Sequence, residues 1–372
     1  MTEQQSTSSE RLLGLDHLRA IAIIMVFIFH YGRLFPHPEW TYNISRFGWT
    51  GVDLFFVLSG YLITNQLLQK LAHKQGISLK EFYIKRFFKI LPPYLLVLLA
   101  YFLFPSFRER ESLAPLIKYL TFTQNIGLDV STNGTFSHAW SLCIEEQFYI
   151  FMPLILVALY HFKNLKMGYL LIVFLFIAGL LIRMYCWNVK VHSLTDDSTA
   201  VINWYKWIYY PTFCRLDGLL VGVSIAGLFC YYEKSKAKIL LNGNLLTIAG
   251  VFVLICGYFL CVNQESFVAS VFGFPCVSLG YGLVVTSAIV PSSLIFNISS
   301  SLTGTIAKLS YSIYLVHKIT IHLTQTYFYS NYIDKESNLM LIISIINTFI
   351  LSFIINRIIE IPARKFRESI VK

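Results

Sequence analysis

Ten stretches of this 372-residue sequence run apolar for about 18 residues or more. They lie near residues 12–33, 49–69, 87–105, 138–160, 167–187, 206–231, 243–262, 268–290, 304–328 and 339–360. About 20 apolar residues span the ~30 Å hydrocarbon core of a bilayer as a helix. The chain therefore reads as an all-α, polytopic transmembrane helical bundle of about ten spans. Composition agrees: 13% of the residues are charged, where soluble domains carry roughly 25%. A soluble globular protein is excluded. The longest connection, 105–137, is too short for a typical appended domain of roughly 50 to 200 residues. Function is therefore assigned to the membrane domain. The expected layout is a polar cytoplasmic tail over 1–11, the membrane domain over 12–362 and a basic cytoplasmic tail over 363–372.

The net charge is +10, from 30 Lys and Arg against 20 Asp and Glu. Such an excess would also suit a nucleic-acid surface, but its distribution follows topology. With a cytoplasmic N-terminus, 17 of the basic residues fall on inner segments and 8 on outer ones, as the positive-inside bias requires. Both termini are expected in the cytoplasm, with the lipid bilayer and no nucleic acid as partner. Seven cysteines, nearly all inside apolar runs, show neither a disulfide framework nor a zinc spacing, so no metal is expected. The start, MTEQQSTSSE, lacks a basic signal-peptide region, and the first span is expected to be retained.

That first span carries most of the chemical signal. Residues 15–32 read LDHLRAIAIIMVFIFHYG, with Asp16, Arg19 and His30 in or at the ends of one hydrophobic helix. A central Asp or Arg costs roughly 2.5 to 3.5 kcal/mol on insertion scales, while each Leu, Ile, Phe or Val returns only about 0.3 to 0.6. The apolar residues between Arg19 and His30 barely offset two such groups, so this helix is expected to face protein or a polar cavity. Eleven residues make about three turns, which puts Arg19 and His30 on nearly one face, roughly 16 Å apart along the axis. Singly, headgroup contact for Arg19 and a carbonyl bond for His30 are sufficient explanations. Together on one face they favour a site.

Other spans add ionisable groups. The second, GVDLFFVLSGYLIT, opens with Asp53, for which helix capping is the plain alternative to function. In the fourth, SHAWSLCIEEQFYIFMPLIL, Glu145 and Glu146 point about 100° apart and cannot share one niche equally. Structural pairing with Arg215 or Lys318 is the competing account for them. The sixth, IYYPTFCRLDGLLVGV, carries Arg215 and Asp217, badly spaced to pair with each other, so each needs another partner. The ninth, AKLSYSIYLVHKITIHL, brings Tyr311, Tyr314, His317, Lys318 and His322. By depth, His30, Glu145, Glu146, Arg215, Asp217 and His317 all fall in the outer half of the bilayer, which predicts one shared polar site. The second cytoplasmic loop and the KRFFK cluster after it carry six basic residues over 70–89. Positive-inside bias accounts for them, and attraction of an anionic cytosolic ligand is the functional alternative.

Across these motifs the chain resembles the membrane-bound acyltransferase family 3, whose members transfer acyl groups, often acetyl, onto extracytoplasmic sugars and other acceptors. The resemblance covers essentially the whole chain and rests on LDHLRAIAIIMVFIFH, GVDLFFVLSGYLIT, HAWSLCIEEQFY, CRLDGLLVG and LSYSIYLVH, in that order. It implies an O-acetyltransferase-like enzyme of surface polysaccharide, multi-pass in the bacterial plasma membrane. It makes His30 the candidate catalytic imidazole and Arg19 a residue handling the acyl donor, and matches Glu145 and Glu146 to the family's paired glutamates. Its basic motif falls on Lys85, Arg86 and Lys89, two of them Lys where Arg is usual, so looser phosphate contacts are expected there. Asp16, Asp53, Arg215, Asp217, Tyr311 and His317 form the supporting polar set.

The donor implied is cytosolic acyl-CoA, most of all acetyl-CoA, as substrate and not as bound cofactor. The acceptor is a hydroxyl of an extracytoplasmic or lipid-linked glycan, with a second copy or a glycan-assembly partner admitted. On this reading His30 takes the hydroxyl proton and Glu145 or Glu146 orients its ring; direct transfer and an acyl-enzyme stay open. Some relatives add a hydrolase-like domain that this sequence lacks, so the membrane domain or a separate partner is expected to complete transfer. A transporter or proton-coupled permease for a glycan precursor or small anion would use intramembrane carboxylates and histidines equally well, but internal repeats are not visible. A non-catalytic scaffold would tolerate loss of the polar residues.

Overall fold

The computed structural model describes residues 13–110, 112–164, 167–192, 194, 196–329 and 333–371. The N-terminal tail expected over 1–11 lies outside them. Every regular element among the described residues is helical. Ten principal helices occupy the ten apolar stretches: α1 Leu13–Leu34, α2 Gly51–Ala72, α3 Leu79–Leu103, α4 Trp140–His161 and α5 Met167–Cys186. They continue with α6 Asp217–Tyr231, α7 Gly243–Leu260, α8 Phe274–Ala288, α9 Ser301–Tyr329 and α10 Asn338–Ile355. Eight of the stretches form helices long and apolar enough to cross a membrane. The other two are α6, which is short, and α9, which carries Lys308, His317, Lys318 and His322.

Burial sorts the helices into layers. In the spans containing α2 and α8, 72% and 78% of the apolar window is buried, against 17% in those of α5 and α7. The first pair therefore forms the protein core and the second turns its apolar surface outward. The Arg19 and His30 helix, α1, packs against α2 and α9, as its charge content required.

Helices α2 and α6 cross almost backbone to backbone. A Cβ on Gly222 would lie 2.3 Å from the Val57 carbonyl oxygen, and one on Gly60 2.3 Å from that of Leu219. Without hydrophobic drive between helices in lipid, small residues at such crossings give the close packing that holds them. Gly222→Ala is expected to destabilise the protein by about 1 to 3 kcal/mol through overpacking. Gly227→Ala, on the same helix with nothing within 4 Å, is expected to stay within about 0.5 kcal/mol. Thermal unfolding in detergent measures the difference, and equal midpoints for the two variants would contradict it.

Two boundaries differ from expectation. The sixth stretch does not start as a helix at 206: Pro211 is extended, a short 3₁₀ turn spans Thr212–Cys214, and α6 begins only at Asp217. Pro211 has no N–H to donate and disfavours helix in the residue before it. Residues Tyr205–Tyr209 instead prolong the short helix Asp197–Trp204 as one wide turn. At the other end, the expected basic tail is helical over Ile361–Ile370. It is amphipathic, and Phe366 stacks edge-on against Phe88 of α3, ring centroids 5.6 Å apart.

The long connection after α3 is packed into the bundle. Tyr119, Gln124, Asn125, Thr135 and Phe136 are fully buried. Phe136 adopts a left-handed backbone, φ 56°, uncommon for a bulky residue and held by its surroundings. Its N–H donates to Glu109 Oε1 at 3.1 Å, and its ring packs on Tyr94, Tyr101 and Tyr119. This turn delivers His138 and starts α4.

Candidate active site

Two cavities open along α1. The first, about 550 Å³, is lined by Arg19, by Arg86 and Lys89 of α3, and by Glu145, Glu146 and Tyr149 of α4. Arg86 and Lys89, three residues apart, share one helix face. Lys85, four residues before Lys89, is absent from the lining because its ammonium is drawn back to Glu81, which also takes Lys70 at 3.0 Å. Arg19 is 3.4 Å from Asp16, one turn earlier. Glu145 accepts from Tyr149 Oη at 2.6 Å and from Ser59 Oγ at 2.9 Å. Both glutamates line this one cavity but differ in partners: Glu146 keeps a buried Oε1 that no hydrogen bond engages among the described residues. Tyr311 lines this cavity and donates to the Ile90 carbonyl at 2.9 Å.

The second cavity, about 330 Å³, holds His30, His138 and Lys318 within walls of Trp49, Trp140 and Tyr209. Ser131 and Gly134 from the connection before α4, and Tyr205 from the segment before α6, also line it. His30 Nδ1 lies 2.9 Å from the Val26 carbonyl oxygen and 3.1 Å from Nε2 of His317. His317 is fully buried, its Nδ1 2.7 Å from the carbonyl oxygen of Tyr314 and 3.1 Å from that of Ile313. His138 packs 4.9 Å from His317 and 6.0 Å from His30, centroid to centroid. Among the described residues, no side-chain hydrogen bond engages either of its ring nitrogens. Among the described residues, no three His, Cys, Asp or Glu are arranged to hold a metal ion.

Tyr314 lines both cavities. Its hydroxyl bonds Ser141 Oγ at 2.7 Å and donates to the His138 carbonyl. Ser141 lines the first cavity and its neighbour Trp140 the second. A thin wall of α9 and α4 side chains thus separates a chamber of mixed charge from one of imidazoles and aromatic rings.

The six groups expected in one polar site are therefore divided. His30 and His317 touch. Glu145 and Glu146 line the Arg19 cavity and not that of His30, so the imidazole's side-chain partner is His317 and not a glutamate. Arg215 and Asp217 line neither cavity and belong to the frame. As their spacing required, each has another partner: Arg215 is 2.8 Å from Asp53, and Asp217 is 2.6 Å from Arg183. Lys318 is 2.6 Å from Glu109, whose carboxylate also holds the Phe136 turn. The pairing of Glu145 or Glu146 with Arg215 or Lys318 does not occur. His138 and Glu109 escaped the sequence reading. The one signal for His138 was its place as the first residue of the HAWSLCIEEQFY motif; Glu109, in a loop without periodicity, gave none.

Comparison with known proteins bears on the same residues. The family described as an acyltransferase domain matches residues 12–357. The O-acetyltransferase OatA of Staphylococcus aureus is 31% identical, over 96% of this chain and 58% of that protein. A putative O-acetyltransferase of the same species is 32% identical, over 95% of this chain and 57% of its own length. The chain thus spans less than two thirds of these relatives. No solved structure matches. With the match running across all but its last helix and both cavities inside it, the protein belongs to acyltransferase family 3.

Proposed function

We propose that the chain moves an acyl group, most of all acetyl, from cytosolic acyl-CoA to a hydroxyl of an extracytoplasmic or lipid-linked glycan. One observation carries the reading: two chemically unlike cavities meet at Tyr314. The Arg19, Arg86 and Lys89 side suits the anionic donor, and the aromatic walls around His30 suit a sugar ring. The N-terminal end of α1 is then cytoplasmic and its His30 end extracytoplasmic, in the plasma membrane. Lys85, occupied by Glu81, leaves Arg86 and Lys89 to meet the phosphates. The acetyltransferase names of the relatives support acetyl.

The chemistry balances without a cofactor. The hydroxyl oxygen attacks the thioester carbonyl while His30 takes the hydroxyl proton. The C–S bond then breaks, and the same proton passes to the leaving CoA thiolate. Glu145, already bonded to Tyr149 and Ser59, stiffens the donor cavity.

Acetyl-CoA at about 100 times its dissociation constant is expected to stabilise the purified protein by about 2.7 kcal/mol. Arg19→Ala is expected to lose most of that effect. Equal thermal shifts in both proteins would remove Arg19 from donor binding. No shift in either, with no CoA released in the presence of a cell-envelope glycan extract, would overturn the donor assignment.

A further inference from the structure

We propose that His317 is a positioning residue that locks His30 in the single tautomer able to accept a proton from the acceptor. The proposal rests on the reading of His30 as base. It follows from which atoms can donate. A backbone carbonyl only accepts, and His317 Nδ1 faces two of them, at 2.7 and 3.1 Å. A neutral His317 therefore carries its proton on Nδ1 and presents a bare Nε2. That Nε2 is 3.1 Å from His30 Nδ1, which also faces the Val26 carbonyl oxygen at 2.9 Å. Both neighbours of His30 Nδ1 are acceptors, so the hydrogen-bond network assigns the proton of His30 to Nδ1. Its lone pair is left on Nε2, which no hydrogen bond engages among the described residues.

The lock is built into the fold. His317 is fully buried on α9 and its acceptors are carbonyls of the preceding turn of the same helix. His30 and His317 therefore hold their orientation for as long as α1 and α9 stay packed. The arrangement also differs from a carboxylate-backed imidazole. The carboxylate on this side, Glu109, is taken up by Lys318, and His138 is the other titratable ring facing the pair. An imidazolium at His30 thus gains a hydrogen-bond acceptor but no net countercharge. This favours prompt return of the proton to the thiolate over its storage on the ring.

Glutamine and phenylalanine at position 317 separate positioning from packing. His317→Gln can return an acceptor oxygen toward His30 Nδ1, whereas His317→Phe keeps bulk and offers none. CoA release is measured with acetyl-CoA and a cell-envelope glycan extract, alongside ¹⁵N spectra of histidine-labelled protein in detergent. His317→Phe is expected to lower kcat by about two orders of magnitude with KM little changed. That is less than the roughly 10⁴-fold loss from a wrong tautomer, because the Val26 carbonyl remains. The bare-Nε2 signal of His30 is expected to give way to a mixture. His317→Gln is expected to keep kcat within about tenfold, one power of ten being about 1.4 kcal/mol, and to keep the wild-type tautomer signal.

A phenylalanine variant with the wild-type rate, or both variants falling equally with His30 still in one tautomer, would overturn the proposal. Full activity in His30→Ala would instead overturn the base assignment beneath it, which keeps the two failures apart.

Discussion

Replacing His30 by alanine is expected to lower acyl transfer by about 10² to 10⁴, the usual contribution of a positioned general base. The protein should insert and fold as before. Mass spectrometry of envelope glycan would show the acyl mass lost from cells carrying only the variant, and CoA release would fall in parallel. Stability should fall only modestly. The His30 ring lies at the edge of a cavity, and its polar contacts are one carbonyl of its own helix and the His317 nitrogen. Truncation enlarges an existing chamber and leaves no buried ion. The Val26 carbonyl keeps the helical environment it had, and the buried His317 nitrogen is left without its donor, at a cost of about 1 to 3 kcal/mol. Large kinetic loss with small stability loss is the signature that separates a catalytic group from a structural one. Wild-type acylation in His30→Ala would remove it from the mechanism.

Much of the frame was legible because hydrophobic periodicity reports directly on solvent. Each of the ten apolar stretches carries a principal helix, and the charge content of residues 15–32 correctly turned α1 toward protein. The pairing of Arg19 with His30 on one face was legible for the same reason, since helical geometry fixes both angle and rise. What depth along a helix does not fix is the chamber a side chain enters. Counting turns put Glu145 level with His30, but the wall made by Tyr314, Ser141 and Trp140 decides that Glu145 belongs with Arg86 and Lys89. That wall needs α4 and α9 in register, a tertiary property. The partners of the buried ions were hidden for a related reason. Asp53 is on α2 and Arg215 just ahead of α6, 162 residues apart in sequence, and Glu109 sits in a connection with no periodicity. Spacing could say that Arg215 and Asp217 each needed someone else, and not whom.

Arg215→Met is expected to destabilise the protein by about 3 to 5 kcal/mol, the cost of leaving one member of a buried ion pair behind. Arg215 is 1% exposed, and its Nη2 is 2.8 Å from Asp53 Oδ1. Its guanidinium lies 4.2 Å from the ring centroid of Phe274 and 4.7 Å from that of Tyr209, with Trp140 and Trp49 within 6 Å. Removing it strands the Asp53 carboxylate, 2% exposed, in an apolar and aromatic environment. The magnitude identifies the cause. Neutral hydrogen bonds between membrane helices average only about 0.6 kcal/mol, so a loss near that value would mean that the pair is not functionally charged. The double replacement Asp53→Leu with Arg215→Met is expected to recover most of the stability, since both desolvation penalties vanish together. Arg215→Lys is expected to fall between, because an ammonium keeps the charge but loses the planar face that stacks on Phe274 and Tyr209. Unfolding midpoints of the wild type, Arg215→Met, Asp53→Leu and the double variant in one detergent form a double-mutant cycle. Additive losses across it would mean that Asp53 and Arg215 do not act as a pair. A recovered midpoint with lost acyl transfer would show the second task of this cluster. Trp49, Trp140 and Tyr209 wall the His30 cavity on one side and enclose the guanidinium on the other, so the ion pair that braces the frame also sets the shape of the chamber proposed for the acceptor.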